Sequence, residues 1–130
     1  MVILLLDRMN KKEKNKYNLI KAGSYSLDGL RSAWKYEIAF KLEVLFLIVS
    51  MPFAVFLGET LFKIVALICV ILIVIVVELI NSAIEAVVDR IGTDYNDLSG
   101  RAKDMGSAAV LVSIFLAIIV WVSVIIEKFS

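Results

Sequence analysis

Three long apolar stretches divide the chain. The first runs from Val44 to Leu57 and extends back through Ile38, Ala39, Phe40 and Leu42. The second carries no charge from Ile64 to Val77, and its helical pattern continues through Glu78 toward Val88. The third, Met105 to Ile126, holds nothing more polar than Ser107, Ser113 and Ser123. A membrane crossing needs about 20 residues, with a range of about 17–25. The third stretch qualifies alone, and the other two qualify once their part-polar ends are included. Three strands could not close a barrel, so these segments are predicted to be helices, spanning about 38–57, 62–88 and 105–126. Pro52, inside the first, is expected to kink it.

The region before the first span differs in kind. Tyr17, Leu19, Ile20, Leu27, Leu30, Ala33 and Trp34 interleave with Lys21, Arg31 and Lys35. That pattern predicts a basic amphipathic helix over 16–36 lying among lipid headgroups, bent or broken near Gly23 or Gly29. A soluble helix packed on a partner is the other reading of the same pattern. Residues 1–15 form an N-terminal extension and residues 37–130 the three-span domain. The hexad Met1 to Leu6 is too short for a signal-peptide core of about 7–15 residues.

Composition sharpens the picture. Of 130 residues, 61% are hydrophobic and the mean hydropathy is +0.90, against about 45–50% apolar in globular proteins. A soluble chain this short could not bury so much apolar surface. Histidine is absent, which removes His-based acid–base catalysis and the Ser-His-Asp constellation. No activated nucleophile for hydrolytic chemistry is visible. The single cysteine, Cys69, gives no disulfide framework and reads as a small buried hydrophobe. A net charge of +1 gives no case for nucleic acid, but the charges are segregated. Nine of the 14 Lys and Arg residues lie at or before Lys41, and Arg90, Arg101 and Lys103 lie between spans two and three. The positive-inside rule therefore puts the N-terminus and the loop from Asp89 to Asp104 in the cytoplasm and the C-terminus outside.

Candidate chemistry sits at the end of span two. Glu78, Asn81 and Glu85 are spaced i, i+3, i+7 and project from one helical face, with Ser82 and Asp89 extending the stripe. An ionisable group within a span is costly and points to function; a polar patch holding helices together is the structural alternative. Seven residues place Glu78 roughly 10 Å deeper than Glu85. Glu85 could then meet a hydrated cation and Glu78 a hydroxyl held at the lipid interface. Mg²⁺ accepts one or two protein carboxylates plus phosphate oxygens and water, and Glu37, with Glu43 as a second candidate, lies at comparable depth. In Leu98 to Ser107, Arg101 and Lys103 offer donors to phosphate, and Gly100 and Gly106 permit close backbone approach. No Walker A pattern or kinase Gly-rich loop occurs.

Two long segments, Glu-Leu-Ile-Asn-Ser-Ala-Ile-Glu-Ala-Val-Val-Asp-Arg-Ile-Gly (Glu78 to Gly92) and Leu-Ser-Gly-Arg-Ala-Lys-Asp-Met-Gly-Ser-Ala-Ala-Val-Leu (Leu98 to Leu111), resemble the signature of the prokaryotic diacylglycerol kinase family. Lys21 to Trp34 and Glu37 to Glu43 are similar to its N-terminal region, so the resemblance covers about Lys21 to Ile126. It implies an all-α membrane protein of the bacterial inner membrane: a homotrimer of three-span subunits, each preceded by an N-terminal amphipathic surface helix, with active sites shared between neighbours. It further implies ATP as co-substrate, Mg²⁺ as cofactor and a membrane lipid as acceptor. By position, Glu78 would be the general base and Glu37 and Glu85 the metal ligands. Tyr25, Asn81, Asp94, Tyr95, Asn96, Lys103 and Asp104 would face ATP, and Arg31, Trp34, Glu43 and Ser107 the lipid. Asn18 and Asn96 depart from the family, where Arg and His are frequent. A related branch phosphorylates undecaprenol and usually carries Glu-Arg-Asn-Phe and Ala-Ala-Lys-Asp-Ala-Ala type stretches. Glu-Ile-Ala-Phe and Gly-Arg-Ala-Lys-Asp-Met-Gly-Ser here favour diacylglycerol. The rival outside the family is a channel or scaffold whose inward carboxylates bind cations, although the polar residues cluster at one end rather than lining a full crossing.

Overall fold

The computed structural model describes residues 21–92 and 96–130. The extension over 1–15, the first residues of the expected amphipathic helix (Asn18 among them), Asp94 and Tyr95 lie outside the described residues. Every described element is helical: α1 over 21–36, α2 over Ile38–Leu57, α3 over Leu61–Ile91 and α4 over Asp97–Phe129. The last three are long and apolar enough to cross a membrane.

Helix α1 belongs to a different compact unit from Glu37–Ser130. It runs through Gly23 and Gly29 without the expected break. Glycine lowers helix propensity but does not forbid the helix, and Arg31 pairs with Asp28 one turn away at 3.0 Å. Tyr25, Leu27, Leu30 and Trp34 are exposed.

The three long helices go up, down and up, with α3 packed on both neighbours while α2 and α4 barely meet. Their ends explain where they start and stop. Thr60 caps α3 by accepting from the Lys63 amide at 3.3 Å. Asn96 Oδ1 caps α4, accepting from the Leu98 amide at 2.9 Å and the Ser99 amide at 3.2 Å. Asp97 in the first turn of α4 and Lys128 in its last complement the helix dipole. The cap corrects one expectation: the polar segment after Asn96 is helix, and the connection between α3 and α4 is short. At 31 residues α3 is about 46 Å long, beyond the ~30 Å of bilayer hydrocarbon, so its polar last turns extend past the apolar zone.

The apolar core sits at the end where α2 passes into α3. Ala54, Leu57, Leu67 and Val124 are buried there, with Ile68, Val120 and Trp121 against them. Trp121 Nε1 donates to the Leu67 carbonyl at 3.2 Å, meeting the need of an indole N–H in apolar surroundings. A Cβ on Gly58 would lie 2.5 Å from Ile64 Cγ1 and 2.8 Å from the Ala54 carbonyl oxygen, so the turn into α3 closes only around glycine. The buried hydroxyls of Ser50 and Ser113 donate to Leu47 and Val110 carbonyls of their own helices. Cys69 is exposed on the outer face of α3, not buried as its apolar neighbours suggested; an apolar run that faces lipid and one that faces the core read alike.

Four charges close this end. Lys63 Nζ lies 2.8 Å from Glu127 and 3.7 Å from Glu59, and Lys128 Nζ lies 3.1 Å from Glu59. The hydrogen bond and charge of Lys128, with the charge of Lys63, hold the Glu59 carboxyl below its ordinary value. A depressed folded value means the contribution is complete above the unfolded value of about 4.3 and disappears as pH falls through the lower folded one. In pH-dependent unfolding in detergent, Glu59→Gln should therefore flatten the acid limb of the stability profile. A profile superimposable on wild type would remove the network from the account.

Candidate active site

The opposite end of the bundle carries the polar side chains. Glu78 is buried in α3 at 6% exposure and Asn81 at 8%; Glu85, one turn on, is half-buried. All three lie on the inner stripe of α3, because the buried positions Ile71, Val74, Ile75, Glu78 and Asn81 follow helical spacing. Asn81 Nδ2 donates to Glu85 Oε1 at 3.1 Å. Asn81 Oδ1 is sealed from solvent without a hydrogen-bond partner, and so is Glu43 Oε2.

Helix α2 brings further carboxylates to this stripe, and α4 brings a cation. Glu37 precedes α2 in extended backbone and makes no capping bond with its side chain. Glu78 lies within electrostatic reach of both Glu85 and Glu37, and Glu43, a turn and a half into α2, reaches Glu78 as well. From α4, Lys103 bonds to Asp89 Oδ1 and also feels Glu85. The pairing with Asp89 was not legible beforehand; opposite charges flanking a short helix connection are the signal that could have found it.

The remaining expected residues separate into groups. Asp104 and Ser107 lie on α4 and face outward. Asn96 is exposed with its Oδ1 engaged in the α4 cap. Tyr25, Arg31 and Trp34 lie on α1, and Asp94 and Tyr95 lie outside the described residues.

Beside Glu43 a groove of about 560 Å³ opens between α2, α3 and α4, walled by Leu42, Phe46, Ile71, Val74, Ile118 and Trp121 among others. Apart from the carboxylate its wall is apolar, which suits an acyl chain with a polar group at one end. Sequence could not separate these wall residues from lipid-facing ones.

Hard oxygen donors of net negative charge suit Mg²⁺. Among the described residues, no three or more His, Cys, Asp and Glu form a ready metal cage.

The family profile described as Prokaryotic diacylglycerol kinase matches residues 24–125. The chain is 52% identical to the diacylglycerol kinase of Escherichia coli (strain K12), over 79% of this chain and 84% of that protein. It is 49% identical to that of Haemophilus influenzae, over 80% and 88%, and 39% identical to that of Pseudomonas aeruginosa, over 83% and 88%. The matched span contains α2, α3 and nearly all of α4.

A carboxyl group kept in such an apolar bundle opposes folding. Replacing it by an isosteric amide should relieve that cost: Glu78→Gln is expected to unfold in detergent at least as late as wild type, with a gain of order 1 kcal/mol. A clearly earlier transition would show that the carboxylate serves packing instead.

Proposed function

Because the chain belongs to the prokaryotic diacylglycerol kinase family, we propose that it phosphorylates diacylglycerol, taking the γ-phosphoryl group of ATP in a Mg²⁺-dependent reaction that yields phosphatidic acid. The observation that carries the catalytic reading is the burial of Glu78 with Glu37 and Glu85 in electrostatic reach.

The lipid hydroxyl oxygen attacks the γ-phosphorus, the bond to the β,γ-bridging oxygen breaks, and ADP leaves. Such transfer asks chiefly for in-line positioning and charge balance. Glu78 takes the hydroxyl proton; its depth along α3 suits a hydroxyl that cannot leave the lipid interface. Mg²⁺ would be held by Glu37 and Glu85, with phosphate oxygens and water completing its shell, and would neutralise phosphate charge. Asn81 orients Glu85 through their hydrogen bond. Lys103 contributes positive charge from α4, and Tyr25, Asp94, Tyr95, Asn96 and Asp104 complete the ATP site. Glu43, beside the apolar groove, joins Arg31, Trp34 and Ser107 on the lipid side.

The assembly is proposed to be a homotrimer in the bacterial inner membrane, with N-termini cytoplasmic and C-termini outside. The outward orientation of Asp104 and Ser107 is what sites shared between neighbouring subunits require. Helix α1, with exposed Leu27, Leu30 and Trp34 and basic Arg31 and Lys35, suits the headgroup layer.

The test is direct. Purified protein in lipid-like detergent, given labelled ATP and Mg²⁺, should label diacylglycerol and leave undecaprenol unlabelled. Glu78→Gln should lower turnover by about 10²–10⁴-fold while remaining folded. Label on undecaprenol alone would redirect the substrate, and near-normal turnover of a folded Glu78→Gln would refute the base assignment.

A further inference from the structure

One close approach between α3 and α4 at the polar end involves a residue with no side chain. Gly106 is buried in α4 against Asn81, itself buried in α3. A Cβ on Gly106 would collide with Asn81 Oδ1 and lie 3.3 Å from Asn81 Cγ. The amide of Asn81 thus fills the volume where any other residue would carry its first carbon. Its orientation follows: Nδ2 is bonded to Glu85 Oε1 at 3.1 Å, so the oxygen must face Gly106, where no hydrogen-bond donor meets it. The glycine Cα–H points that way, a weak partner at best.

From this geometry we infer that Gly106 is a positioning residue, which fixes the Asn81 rotamer and through it the Glu85 carboxylate. The oxygen and nitrogen of an amide share one rigid plane. Displacing Oδ1 by a methyl group must therefore swing Nδ2 away from Glu85. Small residues at membrane helix crossings usually serve close packing alone. Here the space is occupied by a polar group bonded to the carboxylate assigned above to the metal, and on that assignment the inference rests. Supporting groups behind a metal ligand typically matter by about 10–100-fold in metal affinity or activity.

The experiment uses the full-length protein in detergent, in wild type, Gly106→Ala, Asn81→Ala and the double variant. The first readout needs neither metal nor turnover. In protein selectively labelled at asparagine with ¹⁵N, the Asn81 side-chain amide resonance, identified by its loss in Asn81→Ala, should move in Gly106→Ala toward the position of a solvent-bonded amide. The second is the Mg²⁺ concentration for half-maximal lipid phosphorylation. It should rise about 10–100-fold in Gly106→Ala, with the KM for diacylglycerol unchanged. Adding Gly106→Ala to Asn81→Ala should then change the Mg²⁺ requirement less than 2-fold (additivity fails for coupled neighbours). If Gly106→Ala does not fold, the double variant should, since the colliding amide is gone. An unmoved amide resonance, equal effects of Gly106→Ala in both backgrounds, or misfolding of both glycine variants would overturn the inference. Wild type that phosphorylates no lipid while the resonance moves as stated would instead overturn the kinase reading and leave the positioning role intact.

Discussion

The arrangement turns on burying carboxylates where hydrocarbon should exclude them. Glu78 sits at 6% exposure in a helix whose preceding turns are Val, Ile and Leu. A charge at such depth costs several kcal/mol by insertion scales, and Lys103, the cation that α4 brings to this end, is bonded to Asp89. Like charges from Glu85, Glu37 and Glu43 add to the cost. An arrangement this unfavourable persists only where the rest of the fold holds it, and strain of this kind collects at functional sites.

What holds it is a division of labour along the bundle. One end is an apolar core closed by the Trp121 bond to the Leu67 carbonyl and by the Glu59, Lys63, Glu127 and Lys128 network. That end fixes the register of α3 and α4. The other end can then carry groups that contribute little to packing, the Asn81–Glu85 bond and the Glu37 carboxyl that makes no capping bond, while the groove beside Glu43 runs between the two ends as far as Trp121. The Gly106–Asn81 approach at the polar end depends on that register, since a side chain at position 106 would run into the amide.

Much of this was legible in the chain. Apolar runs of membrane length with a polar end announced the three long helices, and the i, i+3, i+7 spacing of Glu78, Asn81 and Glu85 announced one inner face. Less visible was the length of α4: Gly100, Arg101, Lys103 and Asp104 carry no apolar period and read as loop, although Asn96 followed by Asp97 is a helix-start pattern. The outward position of Cys69, the groove wall and the Asp89–Lys103 pair depend on how helices rotate against one another, which hydropathy alone cannot supply. Asn81 and Gly106 were each noticeable, but their contact joins residues on different helices, and only the packed bundle sets it.

The central claim is that Glu37, Glu78 and Glu85 act as one cluster that receives a metal-bound nucleotide. Paramagnetic relaxation tests it most directly, with Mn²⁺ added beside a non-hydrolysable ATP analogue to the ¹⁵N-labelled protein in micelles. Signals around Glu37, Glu78 and Glu85 should broaden together at low Mn²⁺, and only with the nucleotide present, while those around Glu59 and Glu127 stay sharp. Broadening confined to the Glu59 end, or spread evenly over exposed carboxylates, would contradict it.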